Sequence, residues 1–172
     1  MRKDNRGFSL VELIVVVLIM AIIAVAVSAA IIKWVNNSRN SSDVQTKNDL
    51  RDSVALSLTN EAAFKEVMNG GYQIHITKDD VTGLVEYDYI SDDPLATYID
   101  GSGKRKPVVT NPYWKFLLET TGCNDYEEFE NRFTIKSDPI PGKPISINVR
   151  VWENGFTYVT LEGIENEDLD LS

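Results

Sequence analysis

The sequence predicts an α+β fold: a long N-terminal α-helix, transmembrane then amphipathic, packed on a C-terminal antiparallel β-sheet head. Three observations predict it. Residues 13–32 form a twenty-residue run in which only Ser28 is polar; at ~1.5 Å per residue this is about 30 Å of helix, one bilayer core. No Gly or Pro occurs between Phe8 and Asn69, so nothing forces a break in the helix that follows. Beyond Gly70-Gly71 the chain turns to short alternating segments separated by Gly, Pro, Asn and Asp, the pattern of strands and turns.

The apolar run has a basic preface, Met1-Arg2-Lys3-Asp4-Asn5-Arg6, and one carboxylate at its start, Glu12. A secretory signal peptide would explain the cations and the small residues Ser28, Ala29 and Ala30, but its apolar region runs only about 7 to 15 residues. A plain single-span anchor with its basic end inside explains the length. It leaves unexplained a carboxylate beside the membrane, where charge is costly and points to function.

The hexapeptide Gly7-Phe8-Ser9-Leu10-Val11-Glu12 resembles the processing site of type IV prepilins and their pseudopilin relatives. The resemblance covers Arg6 to Ile32, and the seven-residue leader is similar to the short type IVa class. It implies cleavage after Gly7 by a prepilin peptidase and N-methylation of the new terminus, Phe8. It places Glu12 fifth in the mature chain, where the family has its assembly glutamate. It also implies a pilin fold, with the apolar helix as filament core; Leu13, Val17, Met20, Ala24, Val27 and Ile31 are assigned to that core. The implied partners are further copies of the chain and other pilins, the peptidase, an assembly platform with its ATPases, and the membrane before assembly. The implied route runs from a single-pass prepilin in the cytoplasmic membrane, N-terminus inside, to a surface filament serving adhesion, motility or biofilm formation. A pseudopilin of a type II secretion or competence DNA-uptake system shares every N-terminal feature. An uncleaved, membrane-anchored receptor or enzyme domain is a third reading.

The physical rationale is direct. Arg2, Lys3 and Arg6 hold the terminus in the cytoplasm, and small Gly7 leaves the scissile bond accessible. Cleavage creates an α-amine one helical turn from Glu12. In a dry bundle of helices an unpaired carboxylate is expensive and a paired one far less so, so Glu12 is expected to pair with the Phe8 amine of a neighbouring copy and set axial register. The simpler alternative is that Glu12 only complements its own helix dipole.

The resulting division is leader 1–7, apolar helix 8–32, amphipathic half 33–69 and β-rich head 70–172. The chain has 172 residues and a net charge of −9; loss of residues 1–7 removes three cations and one acid, giving −11. Such acidity argues against nucleic-acid binding, which needs cationic footprints, and favours solubility of an exported head. One cysteine, Cys123, excludes an intramolecular disulfide.

Past Ile32, Lys33-Trp34 reads as an interfacial boundary. Asn36 to Asp43 is polar, and the helix is expected to fray near Asn36 to Ser42. Leu50, Val54, Leu58 and Ala62 then recur every fourth residue, with Val44 and Lys47 on the same side, an amphipathic stripe. One helix is expected from Phe8 to about Asn60, with a short helix, Glu61 to Met68, ended by Gly70-Gly71. In the head, Tyr72 to Ile76 and Leu84 to Ile90 read as strands, with Val85, Tyr87 and Tyr89 on the buried side. Gly101 to Pro107 reads as a loop carrying Lys104, Arg105 and Lys106, either a solvated tip or a contact with acidic neighbours. Pro112 to near Gly122 reads as a helix burying Trp114, Leu117 and Leu118. Asn124 to Arg132 reads as a short acidic helix anchored by Phe129 and Phe133, and Pro139 to Pro144 as a stiff connector. Ile145 to Trp152 and Phe156 to Leu161 flank Asn154-Gly155, a strong hairpin signal, with Ile145, Ile147, Val149 and Val151 facing the helix stripe. About four strands are expected, followed by a mobile acidic tail, Glu165 to Ser172.

No catalytic residue, cofactor or metal site is expected, and the chain is read as no enzyme. HExxH, GxSxG, P-loop and GxGxxG are all absent. His75 is the sole histidine and sits on a strand. Cys123 has no second Cys or His nearby. Asp79-Asp80, Asp92-Asp93 and the acids from Glu165 to Asp170 offer oxygen ligands suited to calcium, but without EF-hand spacing; a solvated acidic surface is the simpler reading.

Overall fold

A computed structural model describes residues 10–164. The fold is α+β, with a long helix packed on a four-stranded antiparallel sheet. The chain divides into two compact units, one ending at Ser38 and the other beginning at Arg39. Helix α1 is Leu10–Ser57.

The first unit is the apolar part of α1. Its only polar side chain between Leu13 and Ile32, the Ser28 hydroxyl, donates to the Ala24 carbonyl at 2.6 Å, so it presents no unspent donor to an apolar surround.

The second unit is the head. α1 stops at Ser57, earlier than Asn60, although no Gly or Pro intervenes. Small polar side chains end it instead. Ser57 Oγ donates to the Val54 carbonyl at 2.7 Å and Thr59 Oγ1 to the Leu56 carbonyl at 2.8 Å. Asn60, in extended backbone, accepts from the Ala62 and Ala63 amides and caps α2 (Glu61–Asn69). The interruption resets the helical phase. Leu50 and Val54 are fully buried as expected, but Ala62 is exposed, and Ala63 and Val67 face the core in its place.

The main sheet has the order β2-β1-β5-β6, all neighbours antiparallel. β1 is Tyr72–Lys78, β2 Val85–Ser91, β5 Ile145–Val151 and β6 Thr157–Glu162. Alternation decides the faces: Tyr72, Ile74, Ile76, Tyr89, Ile145, Ile147, Val149 and Val151 all lie in one core with Leu50 and Val54 of α1. The β5–β6 turn closes with the Gly155 amide donating to the Trp152 carbonyl at 2.8 Å. Gly155 there takes φ +78°, the left-handed position that glycine fills at no steric cost.

Two further helices close the core. α3 (Pro112–Thr121) is capped by Asn111 and ends at left-handed Gly122; α4 (Tyr126–Arg132) is capped by Asp125. Trp114 is wholly buried, its indole N–H donating to the Ala96 carbonyl at 2.9 Å. Its ring meets Tyr72 and Tyr89 edge-on at 5.2 and 5.7 Å, the favoured aromatic geometry. Phe129 and Phe133 anchor α4 as their spacing suggested.

Two further expectations are corrected. The stretch from Gly101 to Pro107 is not wholly loop: β3 (Thr97–Ile99) and β4 (Arg105–Pro107) pair as a separate two-stranded ribbon, whose turn is organised by Asp100. The Asp100 carboxylate accepts from the Ser102 amide, the Ser102 hydroxyl and the Lys104 amide. The polar stretch from Asn36 to Ser42 does not fray either. It is helical throughout, and from Arg39 onward it is fastened to the loop before the Pro-rich connector.

Candidate functional site

The first candidate site is the N-terminal helix surface. Seventeen large apolar side chains from Leu10 to Trp34 are exposed, and they occupy every side of the helix. A helix apolar all round belongs in lipid or among other helices, because no orientation hides it from water. The segment is long and apolar enough to cross a membrane, and none of its apolar window is buried. Leu13, Val17, Met20, Val27 and Ile31 are exposed, as is Ala24. Glu12 lies in the first turn of α1, where the helix dipole favours an anion. Gly7, Phe8 and the leader lie outside the described residues, as does the acidic tail.

A second polar cluster went unread in the sequence. Asp43 of α1 is 0% exposed. Its carboxylate accepts from the backbone amides of Lys136 and Ser137 at 2.8 and 2.9 Å. One turn earlier, Asn40 Oδ1 accepts from the Ser137 hydroxyl at 2.8 Å. Arg39 pairs with Asp138. Lys78 of β1 donates to the Ser137 carbonyl at 2.6 Å from the other side. Charge-assisted bonds to backbone donors are what make a buried carboxylate tolerable. The cluster is a clasp between helix and loop, and its separation of 93 residues along the chain leaves no local signal to find it by.

Three of the acids considered for calcium, Asp79, Asp80 and Asp93, are engaged by backbone amides. Asp79 accepts from the Thr82 amide, the Thr82 hydroxyl and the Val81 amide, and these bonds, the Thr82 amide foremost, hold its carboxyl below the ordinary range. Asp80 accepts from the Gly142 amide at 2.6 Å and Asp93 from the Leu95 amide at 2.9 Å. Among the described residues no three His, Cys, Asp or Glu converge as a metal site would require. His75 lies on the outer face of β1 opposite Asp88, and Cys123 is buried.

The three consecutive cations part company. Lys106 pairs with Glu130 at 2.7 Å, and Glu130 also accepts from the Tyr89 phenol at 3.2 Å. Lys104 reaches Glu86 only at 3.6 Å, with both side chains more than half exposed. Arg105 lines an outer groove with His75, Glu86 and Asp88.

The helix surface and its leading carboxylate frame the comparison with known proteins. Residues 2–28 match the family model of the prokaryotic N-terminal methylation motif. The chain carries that motif. It spans the basic leader, Gly7, Phe8, Glu12 and most of the apolar run, and it supports a pilin-like or pseudopilin-like precursor processed by prepilin peptidase. No curated protein and no solved structure matches the chain.

Proposed function

We propose that the chain is the structural subunit of a type IV pilus. It is inserted as a single-pass prepilin with its terminus in the cytoplasm, cut after Gly7, methylated on Phe8 and assembled through its apolar helix into a surface filament. The observation that carries this reading is the methylation motif at residues 2–28 leading into a helix that is apolar on all sides. Such a helix is tolerated singly only in lipid, and outside lipid only in a bundle of its own kind. Leu13, Val17, Met20, Ala24, Val27 and Ile31 then form the bundle core. Glu12 of one copy meets the Phe8 α-amine of the next and fixes register, because the dry core penalises either charge alone.

The partners in this reading are further copies of the chain, other pilins, the peptidase, the assembly platform and its ATPases. The role is structural rather than catalytic: the single histidine sits on an outer sheet face and the single cysteine is buried in the head.

The test is the N-terminal mass of the protein from its native envelope, with microscopy of the cell surface. A chain beginning at Phe8 with one added methyl, together with filaments containing it, is the expected result. A methylated Phe8 without surface filaments overturns the pilus in favour of a secretion or uptake pseudopilin. A chain beginning at Met1 is a plain anchor, and one beginning near Ile31 is a secreted head; either overturns the reading.

A further inference from the structure

The β3–β4 ribbon carries opposite chemistry on its two faces. Ile99 and Arg105 are cross-strand partners, as are Tyr98 and Lys106, and alternation sends the two pairs to opposite sides. On the first side Arg105 and exposed Ile99 border the outer groove together with Asp88 and with Lys104, whose ammonium reaches Glu86 at 3.6 Å, both side chains more than half exposed. On the other side a second groove is lined by the carboxylate residues Asp100, Asp125 and Glu127, the rings of Tyr98 and Tyr126, and exposed Val109. Its one cation, Lys106, is already paired with Glu130. The Tyr126 hydroxyl at this groove is buried without a hydrogen-bond partner.

In a processed chain of net charge −11, the −9 of the whole sequence less three cations and one acid, copies repel at most points of approach. Docking needs cations where the surfaces meet, since charges further apart than about 8–10 Å are screened at physiological salt. The run Lys104-Arg105-Lys106 is the one place where three cations adjoin. We propose that Lys104 and Arg105 of one copy dock in the acidic Tyr98–Tyr126 groove of a second copy, making the ribbon a head-to-head contact. Asp100 and Asp125 already accept bonds from their own turn and helix start, so the guanidinium meets chiefly the exposed Glu127 carboxylate and the exposed Tyr98 ring, a surround that suits it. Donor and acceptor surfaces lie on opposite sides of one ribbon, so the contact is heterologous and repeats from copy to copy. A heterologous contact that does not close yields an open polymer. This deepens the filament reading and rests on it.

The experiment mixes two full-length single variants, Ile99→Cys and Val109→Cys, expressed together and oxidised in assembled filaments. These positions flank the two surfaces without removing a charge, and Cys123 is buried. A disulfide-linked dimer band from the mixture, absent from either variant alone, is expected. Adding Lys104→Glu and Arg105→Glu to the Ile99→Cys copy is expected to remove that band, and adding Glu127→Lys to its partner to restore it in part. Filaments that form without the mixed disulfide overturn the ribbon contact while leaving the filament reading intact. A band that survives the charge reversal overturns the electrostatic basis. Failure of the unmodified chain to form filaments overturns both.

Discussion

Replacing Asp43 with Ala removes the acceptor at the centre of the clasp. Two amide donors, those of Lys136 and Ser137, lose a fully buried carboxylate that they meet at 2.8 and 2.9 Å. A hydrogen bond to a charged group contributes about 1.5–3 kcal/mol, and an orphaned buried donor costs about 1–3 kcal/mol. The desolvation of Asp43 in the folded state offsets part of this. The expected net loss for Asp43→Ala is about 3 kcal/mol. For a unit of this size that is a fall in Tm of about 10 °C. Asp43→Asn keeps one acceptor oxygen and should lose roughly half as much. The control is Asp49→Ala, at an exposed position of the same helix, expected to stay within about 0.5 kcal/mol. Urea and thermal unfolding of a chain beginning at Trp34, followed by circular dichroism, reads all three. If Asp43→Ala unfolds within about 1 kcal/mol of the parent, the clasp holds nothing and the argument from buried charge is refuted.

Gly163 takes φ +85°, and a Cβ there would run into the Pro144 carbonyl, with Ile145 Cα at 3.1 Å; Gly163→Ala should cost about 3 kcal/mol or more in urea unfolding, and a neutral result would refute the close approach. Burial above all raises the phenols of Tyr72, Tyr87, Tyr89, Tyr113 and Tyr126 above their ordinary value of 10.0. The folded chain therefore holds those protons when the unfolded chain has begun to release them, so stability is intact below pH 10 and falls as pH rises beyond it; an ultraviolet titration should show these phenols ionising together with loss of near-ultraviolet dichroism, and smooth ionisation of a folded chain would refute their burial. Glu12→Val should leave membrane insertion intact and sharply reduce filament yield by microscopy; filaments at normal yield would refute the register role.

Legibility followed the range of the forces involved. The alternation in Ile145 to Val151 and the Asn154-Gly155 turn are local, and both stand in the structure. The Asn111-Pro112 start and Gly122 stop of α3 are equally local. The stripe was legible through Leu50 and Val54 to Leu58, which still packs against the core, and failed at Ala62. There Ser57, Thr59 and Asn60 ended the helix by short side-chain bonds that no Gly or Pro announced. The cationic run of residues 104–106 was visible as charge, but its division into a spent Lys106 and an outward Arg105 required the ribbon's alternation.

The sequence by itself determined the N-terminal element. Its signal is compositional and contiguous: leader charge, Gly7, Phe8, Glu12 and twenty residues with a single polar member. Such a segment needs no tertiary partner from its own chain to be helical, because hydrophobicity and helix geometry are properties of consecutive residues. Only the tertiary structure decided what the polar middle of α1 does. Asn40 and Asp43 read as a weak point by composition, and a loop 93 residues away turns them into a fastening. The physical reason is that the cost of a buried carboxylate depends on which donors the fold brings to it, and those donors are backbone amides that no residue type reveals.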